Sequence, residues 1–323
     1  MSFIMNTGNT GPVILQSLAP GMLYTPCPEL NYILVCDKQI LPRNSGSTLM
    51  MMRPRAMTPP TIQLGNSGID PVAQVPQRDV IAATIAYYGT GAVLNYQMLL
   101  QNQDSVLAWV TDRLAVSAKQ AEDIILRDFI VSAASKIYAG GGSNGDNPTN
   151  LGMSDFSMVA TTLDSNSARK FVSGIDGTNK FGTGPVRSSY FMLASTELQS
   201  DLDTLTGFGF LNQSNYGSNT SALISEFGSA RNVRILTSPE APVARGASSL
   251  GQDVYYNAVM GQQAVTHVEQ DGESMKLLYR GPEYSGMLQQ NATLAIRFAQ
   301  AQAITQDTAI RILLCTRNSN LGV

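Results

Sequence analysis

His267 is the only imidazole in the chain. Any general base or nucleophile triad would have to be built on it, and a site with several histidine ligands is excluded. Its surroundings, AVTHVEQDG, read as the end of a strand, the setting of a packed histidine. Two carboxylate pairs, Glu122 with Asp123 and Asp201 with Asp203, have the residue types for acid–base work. Both fall on helical segments, where such pairs form solvated faces. Ser167-Ala-Arg-Lys170 has the spacing of a serine beside its lysine base, without the companion motifs of that chemistry. Gly207-Phe-Gly209 and Gly182-Thr-Gly184 lack the dinucleotide fingerprint, and no Gly-Lys-Ser/Thr follows a glycine-rich turn. Trp109, beside Val110, reads as packing. Met50, Met51 and Met52 make a soft apolar patch that suits a partner surface or a core equally well. The expectation is no catalytic, cofactor or metal site.

The totals point the same way. Only 14% of the 323 residues are charged, against about a quarter in ordinary soluble proteins. Extensive subunit contact favours such a surface, because interface cores are depleted in charge. A net charge of −3 lacks the basic stripe of a dedicated nucleic-acid binder. Cys27, Cys36 and Cys315 are odd in number and without metal-type spacing, which fits a reducing compartment. The N-terminus shows no signal peptide, and no run reaches the ~18 apolar residues of a membrane span. A soluble product made in the cytoplasm is expected.

The element that must position everything else runs from Asp104 to Tyr138, without Gly or Pro. Leu107, Val110, Leu114, Ala118, Ala121, Ile125 and Phe129 recur at helical steps. Asp104 suits the N-cap, and Gly140, Gly141 and Gly142 suit the end. At about 1.5 Å per residue this spine would span roughly 50 Å. Before it, residues 1 to about 30 form a polar, Gly/Pro-punctuated arm, followed by a short apolar segment from Leu30 to Ile40. Strands are expected at Thr48–Met52 and across Asp79–Gln97, with a bulge or bend at Gly89 and Gly91. They bracket a long Pro/Gly-rich tip, an extended hairpin loop of the kind that is usually functional. After the spine, Ser154–Ala168 reads as a second helix with Ser154 as cap. SSYFMLAS (188–195) reads as a buried strand, TELQSDLDTL as helical, and RNVRILT (231–237) as a half-buried strand. Two alternating strands follow, marked by Leu294, Ile296 and Phe298 and by Ile310, Ile312 and Leu314, with a short helical link at Ala301–Thr308. Both are expected to return to the spine, while about 188–275 forms its own α/β unit.

Several segments, in matching order from about 30 to 316, resemble the major capsid proteins of tailed bacteriophages, particularly the N-four-like family. These are LPRNSGSTLMMMRP with Pro42, Gly46, Thr48 and Arg53; YYGTGAVLN with Tyr88 and Gly89; and the spine segment AKQAEDIILRDFI. VRSSYFMLASTELQSDLDTLTGF and EFGSARNVRILTSPEAP, with Glu226, Gly228 and Arg234, complete the set. The resemblance implies an α+β chain of the Hong Kong 97-type capsid fold. Mapped onto this sequence, 1–45 is the N-terminal arm and 46–95 the extended loop. Residues 96–187 with 276–323 form the peripheral domain, carrying the spine helix at 104–138, and 188–275 form the axial domain. It implies a subunit that assembles with itself into hexamers and pentamers of an icosahedral virion shell around double-stranded DNA, in the cytoplasm of a bacterial host. A portal, decoration proteins and a separate scaffolding protein are the implied partners, the last because this arm is short and poorly charged. No lysine lies between Lys38 and Lys119, so the loop is not expected to form the lysine–asparagine crosslink of some relatives. The alternatives are an encapsulin-like nanocompartment shell holding a protein cargo, or an enzyme using Asp201, Asp203 or His267.

Overall fold

Runs such as YFMLAS and VRILTS offer no solvent face, so they must lie in a sheet covered on both sides. The computed structural model describes residues 28, 30–61, 73–101, 106–141, 148–171, 188–205, 210–212, 223, 225–284 and 287–317. A single helical turn, α1 (Tyr32–Val35), leads into β1 (Asp37–Leu41), β2 (Thr48–Pro54), β3 (Arg78–Thr84) and β4 (Ala86–Asn95). Then come α2 (Tyr96–Gln101), the long helix α3 (Val106–Ala133), β5 (Lys136–Tyr138) and α4 (Met153–Ser165). The middle holds β6 (Tyr190–Ser195), α5 (Gln199–Asp203), β7 (Phe210–Asn212), β8 (Glu226–Ala230), β9 (Val233–Ser238), β10 (Val243–Ala244) and β11 (Val254–Met260). Last are β12 (Val265–Gln270), β13 (Lys276–Arg280), β14 (Asn291–Ile304) and β15 (Ile310–Thr316).

The strands form two main sheets and a hairpin. The first sheet runs β1-β12-β14-β13, with β4 on the other edge of β14. The second runs β5-β15-β11-β6-β9-β8-β7, with β10 beside β11. β2 and β3 pair only with each other. Alternation along β6 sends Phe191 and Leu193 to one face of the second sheet, where they meet Leu126 and Ile130 of α3. Tyr190, Met192 and Ala194 go to the other, against Phe156, Val159 and Leu163 of α4 and Leu202 of α5. The first sheet lays Leu294 on Val106 and Val110 of α3, and Ile296 and Phe298 on Ala118.

Several expectations shift in detail. Residues 102–105, with the proposed Asp104 cap, lie outside the described residues, and α3 ends at Ala133 rather than Tyr138. Lys136–Tyr138 instead pair in parallel with β15, so Gly140–Gly142 do not end the helix. The buried stripe of α3 is Val106, Val110, Ala118, Glu122, Leu126 and Ile130, rotated from the predicted face, and Leu107 is exposed. Helix α4 starts at Met153; its N-terminal stabiliser is Asp155, whose carboxylate accepts from the Gly152 and Gly140 amides at 2.8 Å each. Gly89 and Gly91 sit in unbroken register with Arg297 and Ala295 instead of forming a bulge. A Cβ at Gly89 would come 3.0 Å from the Ile296 carbonyl oxygen, so close approach is what the missing side chains permit. The segment expected as a helical link stays in β14 through Ile304, because Ala301 and Ala303 pack beside Val268 and Leu41.

The expected division at 188, 275 and 276 does not follow the ladders. β12 pairs with β14 in the first sheet, whereas β5, α4 and β15 join the second. IRILLCT is buried along nearly its whole length, which suits a doubly covered sheet, and pairing ignores proximity in sequence.

β9 is buried throughout, not half-buried, and Arg234 is fully enclosed within it. Its guanidinium makes a fork to Glu226, Nε to Oε1 at 2.5 Å and Nη2 to Oε2 at 2.6 Å, and lies 5.6 Å from the Phe191 ring. Removing one partner of such a pair strands a buried charge, which costs about 3–5 kcal/mol. Arg234→Met should therefore lower the denaturant midpoint by about that much stability. Adding Glu226→Gln, which keeps an acceptor for the Leu223 amide, should recover part of it. An Arg234→Met protein as stable as the parent would show that the fork carries no structural weight.

Candidate functional site

His267, Glu122 and Asp123, three of the groups with catalytic residue types, lie in the interior. His267 is fully buried on β12, with Nε2 2.9 Å from Glu122 Oε1 of α3 and 3.5 Å from Glu269 Oε1. Burial opposes charge on the ring; hydrogen bonds to Glu122 and Glu269 outweigh it and raise the pKa above the ordinary histidine value. Glu269 is held below the usual glutamate range by His267, against the effect of its own burial. The three donor atoms lie within 4.8 Å of one another, a spacing that a divalent cation can bridge. His267 Nε2 bonds Glu122, and Lys38 and Lys119 line the same cleft as the two carboxylates. Asp123, expected on a solvated face with Glu122, is buried and accepts from the Ile33 amide at 3.1 Å. Burial pushes its pKa up to about 6 in spite of the Ile33 and Tyr32 amides.

The remaining candidates do not converge. Asp201 is buried and Asp203 exposed on α5. Lys170 pairs with Asp164 at 2.7 Å, and Ser167 occupies a left-handed turn with φ 55°. Trp109 packs beside Leu94 and Val110. Cys36 and Cys315 are free thiols whose pKa values burial pushes up, Cys315 to about 12. Cys27 and the glycine pairs at 182–184 and 207–209 lie outside the described residues. No described helix is long and apolar enough to cross a membrane.

What the chain does present is apolar surface on protruding strands. β2 and β3 are in register from Thr48↔Thr84 to Pro54↔Arg78. Leu49, Met51 and Ile81 turn inward onto Leu41, Val268 and the alanines of β14. Met50, Met52 and Val80 turn outward and are 66%, 58% and 56% exposed. The methionine run thus divides, Met51 toward the core and its two neighbours toward solvent. Arg53 fastens the hairpin: Nη1 donates to the Thr305 carbonyl at 3.0 Å, just past β14, and Nη2 reaches Asp79 at 3.3 Å. Arg55 adds a 2.6 Å pair to Asp79. Hydrogen bonds from Arg55 and Arg53 hold the Asp79 carboxyl below the usual carboxylate range. Tyr87 and Val93 on β4, Leu277, Leu278 and Tyr279 on β13, and Met287 with Leu288 extend the exposed apolar area. Sequence reasoning found this hairpin but not the Arg53 anchor, whose only trace is an arginine at the end of an apolar strand.

The sequence matches no protein-family model and no curated protein. Its fold, however, is similar to solved phage capsid structures along nearly the whole chain. The capsid of Ralstonia phage GP4 superposes with a TM-score of 0.72 at 11% identity, covering 99% of both chains. The capsid of cyanophage P-SCSP1u gives 0.65 at 9% identity, covering 95% of this chain and 94% of that one. The cyanophage Pam1 capsid gives 0.63 at 10% identity, covering 98% and 99%. The chain therefore has the α+β capsid fold of the Hong Kong 97 type.

Cutting the anchor gives a direct check on how the hairpin is held. In Arg53→Ala, amide hydrogen exchange should accelerate across Thr48–Pro54 and Arg78–Thr84 while Tyr190–Ser195 keeps its protection. Equal acceleration in both regions, or none, would show that the hairpin is held by something else.

Proposed function

We propose that this chain is the major capsid protein of a tailed bacteriophage, a structural subunit that tiles with itself into an icosahedral shell around double-stranded DNA. The observation that carries the reading is whole-length agreement with capsid chains, at a TM-score of 0.72 over 99% of both partners. In this reading the arm (1–45) and the extended loop (46–95) reach neighbouring subunits through residues 1–30 and the β2–β3 hairpin, while β1 and β4 stay paired within the first sheet. The first sheet with α3 forms the peripheral domain. The second sheet forms the axial domain, which meets its copies at the centres of hexamers and pentamers. The mechanism is additive: each subunit contacts several others, so modest pairwise affinities sum to a closed particle. Met50, Met52 and Val80 supply loop contacts without requiring charges to be desolvated. A net charge of −3 suits a wall that encloses DNA without gluing it down, since every phosphate contact by a lysine or arginine adds affinity through counterion release. A separate scaffolding protein, a portal and decoration proteins are the expected companions, with assembly in the bacterial cytoplasm and the virion as the final location.

Negative-stain microscopy of the chain, alone and co-expressed with its genomic neighbours, tests the proposal. Closed icosahedral particles or flat hexameric capsomers are expected; a monodisperse monomer under both conditions would refute it. Met50→Asp with Met52→Asp should leave folding stability within about 0.5 kcal/mol, as for exposed substitutions, yet abolish particles. Assembly by this variant as efficient as the parent's would remove the hairpin from the contact. Boiled particles should run at monomer mass on a denaturing gel; covalent ladders would contradict the inference from the missing loop lysines.

A further inference from the structure

Three parts of the molecule meet at two consecutive residues of α3. Glu122 reaches His267 on β12, and Asp123 accepts from the amide of Ile33 at the start of α1. Between them the chain from Asn31 to Leu41 is closely held. β1 pairs in parallel with β12, placing Lys38 beside His267. Asn31 donates to the Thr237 carbonyl and accepts from Ser225, which ties the same segment to the second sheet. Tyr32 is fully buried among Leu126, Ile130 and their neighbours. A cleft of about 340 Å³ opens over the joint, lined by Leu30, Leu34, Lys38, Lys119, Glu122 and Glu269, and gives solvent protons a route to it.

We propose that Glu122, Asp123 and His267 form a proton-operated latch, closed in mild acid and loosened as the pH rises, that clamps residues 31–41 and the first sheet to helix α3. The groups facing it come from every packed element. α3 supplies Lys119 and Arg127 beside the two acids, β12 supplies Glu269, and β1 supplies Lys38 and Asp37. β14 places Gln302 opposite His267. Tyr32 and Cys36 also border Asp123; burial holds both in their neutral forms. With His267 protonated and Asp123 neutral, one imidazolium lies between two carboxylates. With His267 neutral and Asp123 ionised, three carboxylates crowd the joint, and one Asp123 oxygen lies buried without a hydrogen-bond partner. An ionised carboxylate so placed bears a desolvation cost that its neutral form avoids.

The sign follows from the direction of each shift. His267 and Asp123 both bind a proton more tightly in the closed joint than in an opened chain. The joint therefore gains stability as pH falls through about 6 for Asp123, and loses the His267 contribution as pH rises through that residue's raised value. Glu269 works in the opposite sense, its contribution disappearing only as pH falls through its depressed value. The joint is thus tightest in mild acid.

The test is amide hydrogen exchange on the full chain from pH 4.5 to 8.5, with rates normalised to intrinsic exchange. That range spans the window between the ordinary aspartate value and about 6 for Asp123 and the window above the ordinary histidine value for His267. In the parent, protection of amides 31–41 should fall by about tenfold or more as the pH rises over that range, and protection of 265–270 should fall as well. Amides 190–195 and 233–238 serve as the internal reference for an intact fold. Asp123→Asn, neutral at every pH, should keep residues 31–41 protected at pH 8. His267→Gln, which retains a donor for Glu122, should flatten the profile of 265–270 above pH 6.5. A parent profile that is flat relative to the reference amides overturns the latch even if a variant fails to fold, and so does a variant whose profile matches the parent's. The measurement needs no particles, so it stands or falls apart from the shell proposal.

Discussion

Fourteen consecutive residues, Asn291–Ile304, form one strand with both edges occupied. β4 lies along one edge over ten paired positions, and β13 and β12 share the other. A slip of one residue anywhere in this ladder would turn Leu294, Ile296 and Phe298 away from helix α3. The long strand therefore sets the register of the whole first sheet. Its paired glycines work in the same direction, since a Cβ at Gly89 or Gly91 would press on the β14 backbone at 3.0–3.1 Å. The hairpin depends on it as well, because Arg53 is held by the carbonyl of Thr305 immediately beyond it.

Charge is scarce in this molecule, and a few charged groups are built into its interior. The Arg234–Glu226 fork ties β8 to β9 inside the second sheet. Glu122 and His267 join the long helix to the first sheet, and Arg127 reaches the Glu240 carbonyl at 2.6 Å beside the second. Buried ion pairs add little net stability over an apolar replacement. Their directional geometry does restrict how layers can be stacked, a restriction that interchangeable leucines and alanines do not supply.

Much of this architecture was legible in the sequence. The Gly- and Pro-free stretch announced α3, the continuous apolar run announced β6, and the alternating residues of the last hundred positions announced β14 and β15. Element ends were less legible. Lys136–Tyr138 have no local reason to leave a helix; they do so because β15 offers a free edge. Beyond the β2–β3 hairpin, partnership between strands was not legible, since nothing in IRILLCT says that its neighbour is β11 and not the preceding strand. The acids of α3 were misread for a physical reason: a carboxylate pair on a helix is ordinarily solvated, and only the distant His267 and Ile33 make burial tolerable. One signal was present, because Glu122 stands four residues after Ala118 and four before Leu126, within the apolar stripe itself.

The open strand β13 carries a consequence of its own. Leu277, Leu278 and Tyr279 expose greasy groups on both faces of an edge that has no strand partner among the described residues, the kind of ribbon that aggregates when two copies zip together. Lys276 and Arg280 stand at its two ends. Zipped head to tail, each end would bring Lys276 against Arg280; zipped side by side, each would meet its own twin. Either arrangement brings basic side chains together, which weighs against this edge zipping onto an identical copy of itself.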